Sequence, residues 1–187
     1  QAQSVHQTTD GGYIVAGFAI SNNGDVSGWH GNGDYWVVKL DNGGNIQWKK
    51  CFGGSQREDA YSVQQTSDGG YIVAGQTYSL DGDVTGLYGQ QDYWVVKLDT
   101  SGSIQWQKCL GGNEADYAFS IQQTADGGYI VAGITASNDE DVTGYHGGFP
   151  YWDSWVVKLD GSGNIQWQKC LGGTNLDYAL SVQQTAD

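Results

Sequence analysis

At 187 residues, 39% hydrophobic and 13% aromatic, the chain carries enough apolar mass for the core of one ordinary domain. Its 21 acids against eight bases give a formal charge of −13, which repels phosphate backbones and anionic lipid and so excludes nucleic acid and membrane surfaces as partners. Thirty glycines against one proline, with eight Trp and twelve Tyr, point to short strands separated by glycine turns rather than to helices.

In chain order, "AQSVHQT" opens as a strand, "TDGG" turns it, and "YIVAGFA" returns; the acidic loop "NGDVSGWHGNGD" at 23 to 34 then leads to the strand "YWVVKLD", the turn "NGG" and the strand "IQWKKC". The same text then returns. "DGGYIVAG" occurs at 10 to 17, 68 to 75 and 126 to 133, and the last residue, Asp187, stands where a fourth copy would start. In the second unit the strands are A (61 to 66), B (71 to 77), C (93 to 99) and D (103 to 109). The units are expected at about 1–58, 59–116 and 117–176 within a single repeat domain of 1–187, with a partial fourth at 177–187 holding one extra A strand at 177 to 184.

Strand C carries apolar bulk on both faces: Trp94, Val96 and Leu98 alternate with Tyr93, Val95 and Lys97, so it is expected to be covered on both sides. A four-stranded antiparallel sheet repeated at this period and covered by its neighbours predicts an all-β, β-propeller-like array of three blades plus one strand, with Trp36, Trp94 and Trp155 at equivalent buried positions. At "DGGYIVAG", "DYWVVKLD" and "GNIQWQKCLGG" the chain resembles secreted bacterial β-propeller repeat proteins of the delta-60 and SBBP kind, over nearly its whole length. The resemblance implies a propeller in an extracellular or cell-surface protein and transfers no chemistry.

No apolar run approaches the ~20 residues of a membrane helix, and "QAQSVHQTTD" lacks the regions of a signal peptide, so the chain is expected to be soluble, with any leader upstream or removed. Three blades leave two faces open. Either the chain is a piece of a longer array, or copies associate through the open blades.

The loop joining B to C has the oxygen spacing of a calcium loop in each unit. Asn23, Asp25, Ser27, Gly28 and Asp34 match Asp81, Asp83, Thr85, Gly86 and Asp92; the third set is Asp139, Asp141, Thr143 and Gly144, with three extra residues within "GGFPYWD" moving its last carboxylate to Asp153. Two readings stand: a Ca²⁺ site, or a tight loop whose side-chain oxygens cap backbone N–H groups. Cys51, Cys109 and Cys170 sit a blade apart, too far for disulfides, and read as buried thiols between sheets. The acids Asp59, Asp116 and Asp177, before or within the A strands, read as solvated edges. His6, His30 and His146 match no catalytic motif, and a non-enzyme is expected.

Next to the constant "DV(S/T)G" the chain varies its residues: Trp29 and His30, Leu87 and Tyr88, Tyr145 and His146. A fixed frame presenting different rings is expected to bind, with Trp29, His30, Tyr88, Tyr145 and His146 offering contacts to glycan or protein. The expected function is therefore a non-enzymatic extracellular binding or adhesion module. Its alternatives are a structural repeat whose open blades assemble, and a fragment of a larger propeller enzyme.

Overall fold

Twelve strands make up the regular structure of the computed structural model, which describes residues 1–148 and 150–186. They form three four-stranded antiparallel sheets, each a meander in chain order. The first holds β1 (Ala2–Gln7), β2 (Tyr13–Ala19), β3 (Asp34–Leu40) and β4 (Ile46–Phe52). The second holds β5 (Glu58–Gln65), β6 (Tyr71–Thr77), β7 (Asp92–Leu98) and β8 (Ile104–Leu110), and the third β9 (Asp116–Gln123), β10 (Tyr129–Thr135), β11 (Asp153–Leu159) and β12 (Ile165–Leu171). Strands A to D are thus present in all three units, and the described residues hold no helix long and apolar enough to cross a membrane.

The A–B turn shows why "DGG" recurs. Gly69 takes φ +82°, a backbone state that favours glycine, and a Cβ on Gly70 would lie 2.3 Å from the Leu98 carbonyl oxygen. Asp68 Oδ1 accepts the Gly70 N–H (3.0 Å), while Oδ2 accepts Lys97 Nζ (2.8 Å) from the buried face of β7. Lys39–Asp10 and Lys158–Asp126 repeat the pair, so each of these buried ammonium groups is matched by a carboxylate.

The sheets pack in series, with one apolar core between the first and second and another between the second and third. At both junctions a tyrosine of strand C reaches across. Tyr35 Oη donates to the Trp94 carbonyl (2.8 Å) with the rings 4.6 Å apart, and Tyr93 Oη donates to the Trp155 carbonyl (3.0 Å) with the rings 4.7 Å apart. The last glycine of "DGGYIVAG" clears the way, since a Cβ on Gly75 or Gly133 would stand 2.7 Å from that hydroxyl. Further out, Trp48 meets Tyr71 edge-on at 5.5 Å, and Trp106 meets Tyr129 at 5.6 Å. On the A-strand side, Ser4 Oγ accepts the Val63 N–H and Ser62 Oγ accepts the Ile121 N–H, both at 3.2 Å.

Three expectations need correcting. Trp94 and Trp155 are fully buried, but Trp36 is only half-buried, because among the described residues no sheet covers its side of β3. The extra A strand over 177 to 184 is not a strand: Val182 and Gln184 donate to Ser120 Oγ and Gln122 Oε1 much as an A strand would, yet a strand needs a ladder, and no B strand lies beside it among the described residues. Asp59 and Asp116 are buried, not solvated edges, and Asp177 is half-buried. Phe149 of the third-loop insertion and Asp187, the expected start of a fourth "DGGYIVAG", lie outside the described residues.

The tyrosine slot gives a direct test. Gly75→Ala is expected to cost about 1–3 kcal/mol by overpacking against backbone and the Tyr35 hydroxyl. Tyr35→Phe, which removes one hydrogen bond and keeps the ring, should cost about 1 kcal/mol. Urea midpoints of the two variants check the order.

Candidate functional site

The second and third B–C loops are pinned from inside. Val84 and Val142 of the "DV" pairs are buried in the two cores, and the glycines two residues on, Gly86 and Gly144, turn the chain at φ +87° and +81°. The loop's last carboxylate is buried at the start of strand C. Asp34 accepts the His30 N–H (3.0 Å), Asp92 the Tyr88 N–H (2.9 Å) and Asp153 the His146 N–H (2.8 Å). The matching of Asp153 to Asp34 and Asp92 across the insertion is therefore what the structure shows.

Of the remaining loop oxygens, those of Asp81, Asp83 and Asp139 cap backbone N–H groups. Asp81 Oδ1 accepts the Ser55 N–H (2.7 Å) and Asp83 Oδ2 the Gly53 N–H (3.2 Å), tying the loop to the connection between β4 and β5. Asp139 accepts the Asn113 N–H (2.9 Å), and the Asp141 N–H donates to the Gly111 carbonyl (3.1 Å). Thr85 and Thr143 hydroxyls accept from the Gln107 and Gln168 amides. In the first loop Asn23, Asp25 and Ser27 are exposed, with Asp25 3.1 Å from Lys49 Nζ. Among the described residues no three His, Cys, Asp or Glu side chains gather in a metal-binding group. As folded, a cation would compete with Ser55 and Gly53 for the oxygens of Asp81 and Asp83.

The variable pair splits in two. Leu87 and Tyr145 pack against the cores and Trp29 is half-buried, whereas His30, Tyr88 and His146 point outward. Of the five expected contacts, then, Trp29 and Tyr145 belong more to the frame and three are presented to solvent. His30 and Tyr88 do not stand alone. Between the first and second sheets lies a groove of about 450 Å³ walled by His30, Lys50, Asp83 and Ile104; between the second and third, one of about 230 Å³ is walled by Tyr88, Lys108, Asp141 and Ile165. These are equivalent residues one unit apart, so the junction builds the same groove twice. The floor includes Cys51 and Cys109, both free; burial pushes the Cys51 thiol up to about 11 and that of Cys109 further. His30 Nδ1 is held 2.7 Å from Asp34, and no hydrogen bond joins it to Cys51 among the described residues.

Sequence reasoning missed the carboxylate pairs beneath these loops. Asp34 with Glu58, Asp92 with Asp116, and Asp153 with Asp177 meet where one unit passes to the next. A Cβ on Gly111 would lie 2.8 Å from Asp92 Oδ1 and 2.5 Å from Asp116 Oδ2. Asp92, Asp116, Asp34 and Glu58 are all fully buried, and among the described residues Oδ1 of both Asp92 and Asp116 has no hydrogen-bond donor. Burial pushes Asp92 and Asp116 up to about 7 against the hydrogen bonds each accepts, with a small further push on Asp116 from Asp92 and on Asp92 from Asp141; Asp34 and Glu58 are also raised, mainly by burial. The signal was present as an acid recurring before each A strand at 58, 116 and 177, opposite the acid that opens each C strand.

No protein-family model matches the chain. It is similar to the regulatory protein FlaEY of Caulobacter vibrioides, 26% identical over 128 residues, and the match covers 60% of this chain and only 13% of that protein's length. A crystal structure of a protein of unknown function from Bacteroides caccae aligns with 91% of this chain and 67% of its own, at 16% identity and a TM-score of 0.29.

The pairs set a pH dependence. Groups raised in the folded state stabilise it below their ordinary value near 4 and lose that contribution as pH rises through about 7. Asp10, Asp68 and Asp126, lowered by their hydrogen bonds and lysine partners, titrate well below this window. The thermal midpoint should therefore fall between pH 4.5 and 7.5. Asp92→Asn should flatten that fall, and calorimetry across the range checks it.

Proposed function

We propose that the three sheets are blades of a β-propeller-like array and that the chain is a non-catalytic binding module whose ligand sites are the grooves between blades. The array reading is supported by the A strands. β1, β5 and β9 lie side by side, and together with the segment after Asp177 they wall one narrow space of about 220 Å³ lined by His6, Gln64, Gln122 and Gln183. Inner strands converging on a common axis are what blade arrays have.

The binding reading rests on the groove being built twice with one frame and a changed ring. Lys50 and Asp83 in the first become Lys108 and Asp141 in the second, while His30 becomes Tyr88. A neutral saccharide fits this set. The ring offers a face for sugar C–H bonds, the lysine donates to a hydroxyl, and the aspartate accepts from one. Acidic sugars are disfavoured by a chain of charge −13. A catalytic use is not favoured, because burial holds the groove thiol of Cys51 protonated and no hydrogen bond joins it to His30 among the described residues.

Titration with a panel of neutral oligosaccharides, read by amide chemical shifts, tests this. Saturable shifts confined to the two grooves are expected. Tyr88→Ala should weaken the second site about five- to tenfold, the ~1 to 1.4 kcal/mol of one aromatic contact, and leave the first unchanged. Shifts that are absent, or indifferent to both His30→Ala and Tyr88→Ala, would sink the idea.

A further inference from the structure

The exposed apolar side chains on the outer faces of the first and third sheets match the two halves of the internal junction. Inside the chain, Trp48 packs on Tyr71 and Trp106 on Tyr129. Trp167, the next tryptophan of the series, is 47% exposed, and Tyr13, the first tyrosine, is 38% exposed. The same holds around them. Phe52 and Leu110 are buried in the junctions while their counterpart Leu171 is exposed, and Ile104 and Ile165 pack on the cores while Ile46 is exposed. Each face also has a cleft: about 400 Å³ beside Phe18, Ile20 and Trp36 on the first sheet, and about 250 Å³ between Trp167, Ile130 and Gln183 on the third.

We infer that the face of the third sheet docks the face of the first sheet of a second copy, repeating the internal junction, with residues 177–185 replacing the second copy's β1 beside its β2. This inference rests on the junction geometry and not on the saccharide reading. It extends an interface the chain already makes twice. The replacement follows from space, because β1 and 177–185 are the same element of the repeat and cannot both lie between the docked sheets. The segment is the fuller version. It is already held by the Asp177 N–H on the Trp152 carbonyl (2.8 Å), by Gly173 on Asp177 Oδ2 (2.8 Å) and by Ala125 on Gln184 Oε1 (2.8 Å). β1 has only Gln3 where the others carry Tyr61, Phe119 and Leu180, and His6 where Gln64 and Gln122 accept a neighbouring N–H. In the register of β5 on β6, Val182 would face Val15 as Val63 faces Val73.

One internal contact is missing from the docked pair. Ser154 stands where Tyr35 and Tyr93 reach across, so the slot beside Gly17 of the second copy stays unfilled. Docking is accordingly weaker than the internal junction and responds to that residue.

Sedimentation of the full chain over a range of concentrations tests the proposal. Reversible association of the 20.1 kDa chain is expected. Trp167→Glu and Tyr13→Glu, both at exposed positions, should each abolish it, and an equimolar mixture of the two should pair one to one through the intact ends. Ser154→Tyr should tighten association at least tenfold. Val15→Cys with Val182→Cys should form a disulfide between copies under oxidation. A wild-type chain that stays monomeric, or an association indifferent to Trp167→Glu and Tyr13→Glu, overturns the docking; association without the disulfide overturns the strand replacement.

Discussion

The distance between neighbouring sheets is set by a phenol that must pass a backbone. Tyr35 and Tyr93 send their hydroxyls over Gly75 and Gly133 to the carbonyls of Trp94 and Trp155, and any Cβ on those glycines would collide with them. Once that contact is made, the aromatic ring lies on the next tryptophan, the valines of strand C fill the space between, and the A strands come close enough for Ser4 and Ser62 to accept backbone N–H groups. The B–C loops and their grooves inherit this spacing. The groove walls come from two sheets, so their separation is not free to vary independently of the core.

This dependence explains what could be seen in the residues and what could not. Strand identity was legible because "YIVAG" and "YWVVKLD" have strand composition and are closed by turns whose glycines need positive φ, and these are local facts. The equivalence of Asp153 with Asp34 and Asp92 was legible because position before strand C outweighs loop length. The partner of each buried acid was not, since Asp92 and Asp116 are brought together by a unit boundary, and an acid beside a strand reads as solvated until the next sheet covers it. Trp36 failed for the same reason in reverse: its strand has the same sequence as that of Trp94, but among the described residues no neighbouring sheet covers it. The Asp-rich loops carried an ambiguity that spacing cannot settle, because oxygens that could converge on an ion serve equally well as caps for N–H groups, and in the second loop Ser55 and Gly53 take them.

The charge balance also looks different once partners are assigned. Of the eight bases, Lys39, Lys97 and Lys158 are spent on the A–B turns, Lys49 on Asp25 and Arg57 on Asp59. Those outside the ion pairs among the described residues are Lys50, Lys108 and Lys169, which are one position of the repeat. A chain with a large excess of acid thus keeps its uncommitted cations at the wall of each junction groove. An ammonium there, near a carboxylate and a ring, suits hydrogen bonding to neutral oxygens rather than capture of an anion, which the surrounding field opposes.

Lys169 shows how binding and assembly would be coupled. Lys50 and Lys108 face grooves closed on the far side by Asp83 and Ile104, or by Asp141 and Ile165, of the following sheet. Among the described residues no sheet faces Lys169 and His146 as β5–β8 and β9–β12 face their counterparts, so theirs is half a groove. On docking, the opposite wall would be Asp25 and Ile46 of the second copy, which hold the places of Asp83 and Ile104. A third site would then exist only in the assembled form, and its ligand would bind that form and not the separated chains. By mass action such a ligand would favour assembly by the ratio of its affinities for the two states, and the two proposed properties would become one equilibrium.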